Sequence, residues 1–138
     1  MPSRPIRYLG AADVLRIHQD TLEHEGGIAG IRDMGLLESA VATPRQELFG
    51  VVLHPDLASK AAAYLYHIAS NHPFLDGNKR AAAMTALVFL HVNGAQRLPE
   101  PGELEEATLA VAAGRMSKAE LVHWMHARVG DDTGAEPD

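Results

Sequence analysis

A chain of 138 residues with 46% hydrophobic and 22% charged residues suits one compact domain with one core and is too apolar for a disordered one. Its net charge of −6, with no Lys/Arg cluster, argues against binding of DNA by the chain itself, and the lack of cysteine excludes disulfides, thiolate metal sites and cysteine nucleophiles. No apolar stretch follows the charged start, and the longest apolar run, 81–90, is far too short to span a bilayer, so a cytoplasmic protein without membrane contact is expected.

In chain order, residues 13–25 place Val14, Ile17 and Leu22 near helical spacing and stop at Gly26-Gly27. Residues 33–42 read as a short helix capped by Asp33 and closed by Pro44. Residues 44–55 have no helical period and carry Gly50 among Leu48, Phe49, Val51, Val52 and Leu53, which suits a loop or a short extended flap. Helix resumes over 56–70, where Leu57, Ala61, Tyr64, Leu65 and Ile68 form a stripe. Pro73 breaks it and pushes His72 out of the α region. The next helix starts near Gly77 and stops at Asn93-Gly94; 81–90 is apolar nearly all round, so this helix is expected at the buried centre.

Residues 99–102 read as a second break, followed by helices over 103–113 and 117–129, the last with the capping-box spacing of Ser117 and Glu120. The acid-rich residues 131–138 read as a disordered tail. Aromatics at 5% leave a core of Ala, Leu, Val, Ile and Met, which favours helices over strands. The expected fold is all-α: a single bundle of about six helices over 1–130, with a central buried helix and a short flap.

The chemistry concentrates in the polar loop 71–80, which runs into the most apolar helix of the chain. A helix start exposes unpaired N–H groups and a positive dipole end, which favour an anion. Lys79 and Arg80 oppose that dipole, so they make sense there as clamps on bound phosphates. Gly77 permits close approach to the backbone. Asp76, a lone carboxylate beside a phosphate site, suits Mg2+, and His72 could take a proton from an attacking hydroxyl.

The run His-Pro-Phe-Leu-Asp-Gly-Asn-Lys-Arg at 72–80 resembles the signature loop of Fic-domain proteins, His-x-Phe-x-Asp/Glu-Gly-Asn-x-Arg, and more narrowly the Doc (death-on-curing) toxin branch. Further matches are Arg7-Tyr8-Leu9, Ile17-His18, Gly26-Gly27, Gly30-Ile31-Arg32-Asp33, Gly35-Leu36-Leu37-Glu38-Ser39-Ala40, Phe89-Leu90 and Asn93-Gly94. The resemblance implies His72 as base, Asp76 on Mg2+, Gly77, Asn78, Lys79 and Arg80 on the nucleotide, and the Gly50 region as a flap that aligns the target. It also implies ATP as co-substrate, an antitoxin protein covering the site, and translation elongation factor Tu as the type of target.

Fic proteins mostly move AMP to a hydroxyl, whereas Doc proteins move the terminal phosphate. Adenylylating members usually have Gly where this chain has Lys79 and a second Arg where it has Ala83. Without that Arg the γ-phosphate can face the target, so both departures favour a kinase; Gly77, where the Doc branch can carry Ala, matches the broader Fic pattern. The alternatives are a Fic-type adenylyltransferase and a non-catalytic nucleotide- or partner-binding module.

Plainer readings apply elsewhere. His123 and His126 could share a helix face as metal ligands, but no carboxylate joins them at helical spacing, so a solvated or half-buried face is expected. His67, Tyr64, Tyr66 and Trp124 read as packing residues. Thr21 to Gly26 fits the inhibitory-helix pattern of some Fic proteins, Ser/Thr-x-x-x-Glu-Gly/Asn. The Arg that such a Glu captures is absent here, so Glu25 is expected not to inhibit.

Overall fold

The computed structural model describes residues 5–130. The tail expected at 131–138 lies outside the described residues. Six helices occupy the periodic segments: α1 (Ala11–Glu25), α2 (Met34–Ala42), α3 (Leu57–Asn71), α4 (Asn78–Val92), α5 (Pro101–Ala112) and α6 (Lys118–Val129). None is long and apolar enough to cross a membrane. After a 3-10 turn at Thr43–Arg45, the expected flap is an antiparallel hairpin of β1 (Glu47–Leu48) and β2 (Val51–Val52), with Glu47 opposite Val52. Phe49 at its tip is 96% exposed.

Side-chain caps fix where the helices begin. Asp33 accepts the Leu36 N–H (3.0 Å), and Asp56 exchanges bonds with Ser59 at the start of α3. Ser117 and Glu120 close the anticipated capping box of α6. The break expected at 99–102 ends at Glu100, and Pro101 and Gly102 already belong to the first turn of α5. The Glu100 carboxylate accepts from the Gly102 and Glu103 N–H groups, and Pro101 takes the one position where a missing N–H costs nothing.

The expected central helix is also redistributed. On α4 only Ala81, Ala82, Thr85, Ala86, Phe89 and Leu90 are buried, and its opposite face borders a cavity. The most enclosed helix is α3, buried without interruption from Leu57 to Leu65. Its alanines let α2, α4, α5 and α6 close on it from all sides. Tyr64 on α3 secures the N-terminal segment, its hydroxyl donating to the Leu9 carbonyl (2.9 Å) and accepting the Leu9 N–H (2.8 Å).

At the far end of α3 from the loop, His126 bonds both Asp56 carboxylate oxygens (2.9 and 2.8 Å), pinning α6 to the start of α3. His126 is thus a structural tether, and among the described residues no group of three or more His, Asp or Glu could hold a metal. Lys60 donates to the His54 carbonyl. Burial lowers the pKa of His54 to about 4, helped by Lys118 and Lys60 and opposed by a Thr43 backbone bond; burial, Lys118 and His54 lower His67 to about 4.

Both folded-state values lie below the ordinary 6.5. The unfolded chain therefore takes up protons that the folded one resists. Stability from this pair is complete above that ordinary value and is lost as pH falls towards the lowered ones. The melting temperature is expected to fall between about pH 7 and about pH 5, and His67→Leu to flatten the slope. A midpoint constant across that window would refute the assignment.

Candidate active site

The loop between α3 and α4 is set by two conformational irregularities. His72 ends α3 in the left-handed region (φ 50, ψ 58) while its N–H still bonds the Ile68 carbonyl (3.3 Å). Pro73 bars the right-handed alternative, and the left-handed one costs a residue with a Cβ about 1–2 kcal/mol. Gly77 then opens α4 at φ 76, where a Cβ would also stand 3.4 Å from His18 Nε2.

Between these points the loop is held by its own side chains. Phe74 is buried and stacked on His18, ring centroids 3.7 Å apart at 4°. Asn78 reaches back to Phe74 with both ends of its amide, accepting the N–H (2.9 Å) and donating to the carbonyl (3.0 Å). His18 Nε2 lies 2.8 Å from the Asp76 carbonyl oxygen, which fixes that nitrogen as the donor.

A second segment, 28–33, runs along the loop as a strap. Gly30 accepts the Leu75 N–H (3.1 Å), Ile31 bridges to Phe74, and the Arg32 and Asp33 N–H groups both reach the Pro73 carbonyl (2.7 and 3.0 Å). The Arg32 guanidinium donates to the carbonyls of His72 (2.6 Å) and Asn71 (2.7 Å). Gly27, just before the strap at φ 125, passes so near the loop that a Cβ would lie 2.9 Å from Asp76 Oδ2.

Asp76 accepts one backbone N–H on each oxygen, from Ile28 (3.0 Å) and Gly77 (2.9 Å). These bonds hold its carboxyl below the usual range. The group is therefore anionic and oriented, and each oxygen keeps a lone pair for a cation. With one such carboxylate, and no cluster of three or more His, Asp or Glu among the described residues, the donor set fits Mg2+, which takes few protein ligands. The first backbone bond of α4 is Ala81 N–H to Gly77 C=O (2.9 Å), so the N–H groups of Asn78, Lys79 and Arg80 precede the helical ladder.

All six residues proposed from the sequence, His72, Asp76, Gly77, Asn78, Lys79 and Arg80, line one cavity of about 390 Å3. Its other wall is mostly apolar, made by Ala83, Met84 and Leu87 of α4 with Leu104 and Leu109 of α5, and Glu105 and Thr108 of α5 add polar groups to it. Sequence reasoning missed the supports. His18 and Arg32 appeared only as flanking matches, although a histidine on the buried stripe beside Val14 and Ile17 was a signal available in α1.

Glu25 does reach the loop, pairing with Arg80 (2.7 Å) instead of the Arg absent at 83. Both side chains are nearly half exposed (49% and 41%), so the pair is worth about 0–1 kcal/mol. Glu25→Gln is accordingly expected to tighten nucleotide binding by no more than about fivefold, measured by calorimetry. A gain far beyond that would make Glu25 a true inhibitor.

Residues 8–90 match the Fic/DOC family. Among curated relatives, the chain is 46% identical over 89 residues to "Toxin Doc" of Mycolicibacterium smegmatis, covering 64% of this chain and 66% of that protein. It is 31% identical over 112 residues to "Protein kinase doc" of Escherichia phage P1, covering 81% of this chain and 87% of that protein.

Proposed function

The chain belongs to the Fic/Doc family, in its death-on-curing branch, and on that footing we propose that it is the toxin of a toxin–antitoxin pair, a kinase moving the γ-phosphate of ATP to a Ser or Thr hydroxyl of a target protein. The observation that carries this reading is the convergence of His72, Asp76 and the α4 N-terminus on one cavity, with Ala83 in its wall. Ala83 leaves room where a longer cation would seize the terminal phosphates. The names of the two relatives, a toxin and a protein kinase, point the same way.

In this scheme the N–H groups of Asn78, Lys79 and Arg80 and the two cationic side chains hold the phosphate oxygens. Asn78 can add its second amide hydrogen, since only one is committed to Phe74. His72 accepts the proton of the target hydroxyl, whose oxygen attacks the γ-phosphorus as the bond to the β,γ-bridging oxygen breaks and ADP leaves. Asp76 would hold Mg2+, whose positive charge would offset that of the departing ADP. The apolar wall of Met84, Leu87, Leu104 and Leu109 suits the flat face of the base.

The exposed flap is the docking element for the target segment, with elongation factor Tu as the target type, and an antitoxin segment laid across the cavity would shut out ATP. Incubation with γ-labelled or α-labelled ATP and purified elongation factor Tu, with a lysate in parallel, tests the reading. Label on protein from the γ position alone is expected. Label from the α position alone would establish an adenylyltransferase instead, and bound ATP with no labelled protein would leave a binding module.

A further inference from the structure

We propose that Arg32 is a positioning residue for His72, holding the backbone from which the base works; this rests on the role of His72 proposed above. Arg32 does not line the cavity. Its Nε and Nη2 instead donate to two consecutive carbonyls, His72 (2.6 Å) and Asn71 (2.7 Å). These belong to the last residue of α3 and the residue that caps it, where helix carbonyls lack helical partners and a cation is favoured.

The arrangement is more specific than charge at a helix end. His72 is in the left-handed region, and its neighbours are fixed on both sides, by α2 and by the strap. The Asn71 amide donates to the Leu36 carbonyl (3.0 Å), and the Pro73 carbonyl receives the Arg32 and Asp33 N–H groups. Three consecutive carbonyls, 71, 72 and 73, are thus held by Arg32 and its successor. Only a planar fork with two parallel donors can span the first two at once, and a lysine ammonium lacks that geometry. Without the fork, the His72 carbonyl loses its one side-chain partner, and the imidazole is held less tightly on the cavity.

The test uses the intact chain with Arg32→Ala and Arg32→Lys. Arg32→Ala is expected to lower kcat for phosphate transfer by about 100-fold, with the KM for ATP within about twofold, because the phosphate-holding groups sit on α4. Arg32→Lys is expected to recover little. Added methylguanidinium is expected to restore Arg32→Ala at least about tenfold and to do nothing for His72→Ala. Full activity in Arg32→Ala, equal loss in kcat and in ATP binding, or rescue by lysine would each overturn the proposal.

A second readout does not depend on turnover. In protein carrying 15N-histidine, the ring signals of His72, identified by their absence in His72→Ala, are expected to shift or broaden in Arg32→Ala and to return with methylguanidinium. If the wild-type chain transfers no phosphate yet these signals still follow Arg32, the positioning role stands and the kinase reading fails. Signals indifferent to Arg32 would sink the positioning role itself.

Discussion

His72→Ala is expected to lower phosphate transfer by about 100- to 10,000-fold, the usual worth of a positioned general base. The same change is expected to leave the melting temperature where it was. The imidazole is exposed, and the bonds that hold residue 72 in place are made by its backbone N–H and carbonyl. Alanine keeps both, and Pro73 still bars the right-handed conformation. ATP affinity is expected to stay within about threefold, since the N–H groups and cations of α4 are untouched. The measurements are label transfer from γ-labelled ATP, calorimetric binding and a thermal melt. Transfer at the wild-type rate would remove His72 from the mechanism, while a lowered melt would mean that its side chain supports the fold.

Phe74→Ala, two residues along, is expected to behave in the opposite way and to damage everything. The ring is 1% exposed and closes the core against His18. Truncating a buried phenylalanine costs about 3–5 kcal/mol, so the melt is expected to drop by roughly 10 °C or more. His18 loses the ring that keeps its Nε2 on the Asp76 carbonyl, so Asp76 and Gly77 lose their seat. Transfer is therefore expected to fall even when assayed well below the new midpoint. Phe74→Leu refills most of the volume and is expected to recover most of the stability. A variant with alanine that melts like wild type would refute Phe74 as the anchor of the loop.

The contrast between neighbouring residues shows what could be read beforehand. The helices were legible because apolar periodicity and caps such as Asp33 and Ser117 are side-chain properties. The loop was legible because its chemistry also resides in side chains, now gathered on one cavity. The strap was not, because most of its work is done by the backbone of Ile28, Gly30, Arg32 and Asp33, which leaves no pattern in residue types. An arginine bonded to carbonyls reads in sequence like any solvated arginine. Asn78 fits a phosphate ligand and a loop brace equally well until its partners on Phe74 are seen.

Two misplacements have similarly local causes. Proline both ends helices and begins them, and at 101 the Glu100 carboxylate on the next N–H groups decides for a beginning. An apolar helix surface can meet either a core or a ligand, and α4 does both, with Phe89 and Leu90 inward and Met84 and Leu87 on the cavity. Periodicity counts apolar residues and cannot say what covers them.

The tethers of the loop also say something about when in its own synthesis the protein acquires its site. They join residues 39, 40, 48 and 58 positions apart, from Arg32, Ile28 and His18 to the loop. Contacts of that separation pay their closure entropy before they return any stability, so they form late. A nascent chain that has extruded all of 71–80 but has not docked α1 and the strap carries every motif residue and no site. Maturation of the site is then a matter of tertiary docking, and in the interval before it the newly made chain holds the motif without the geometry.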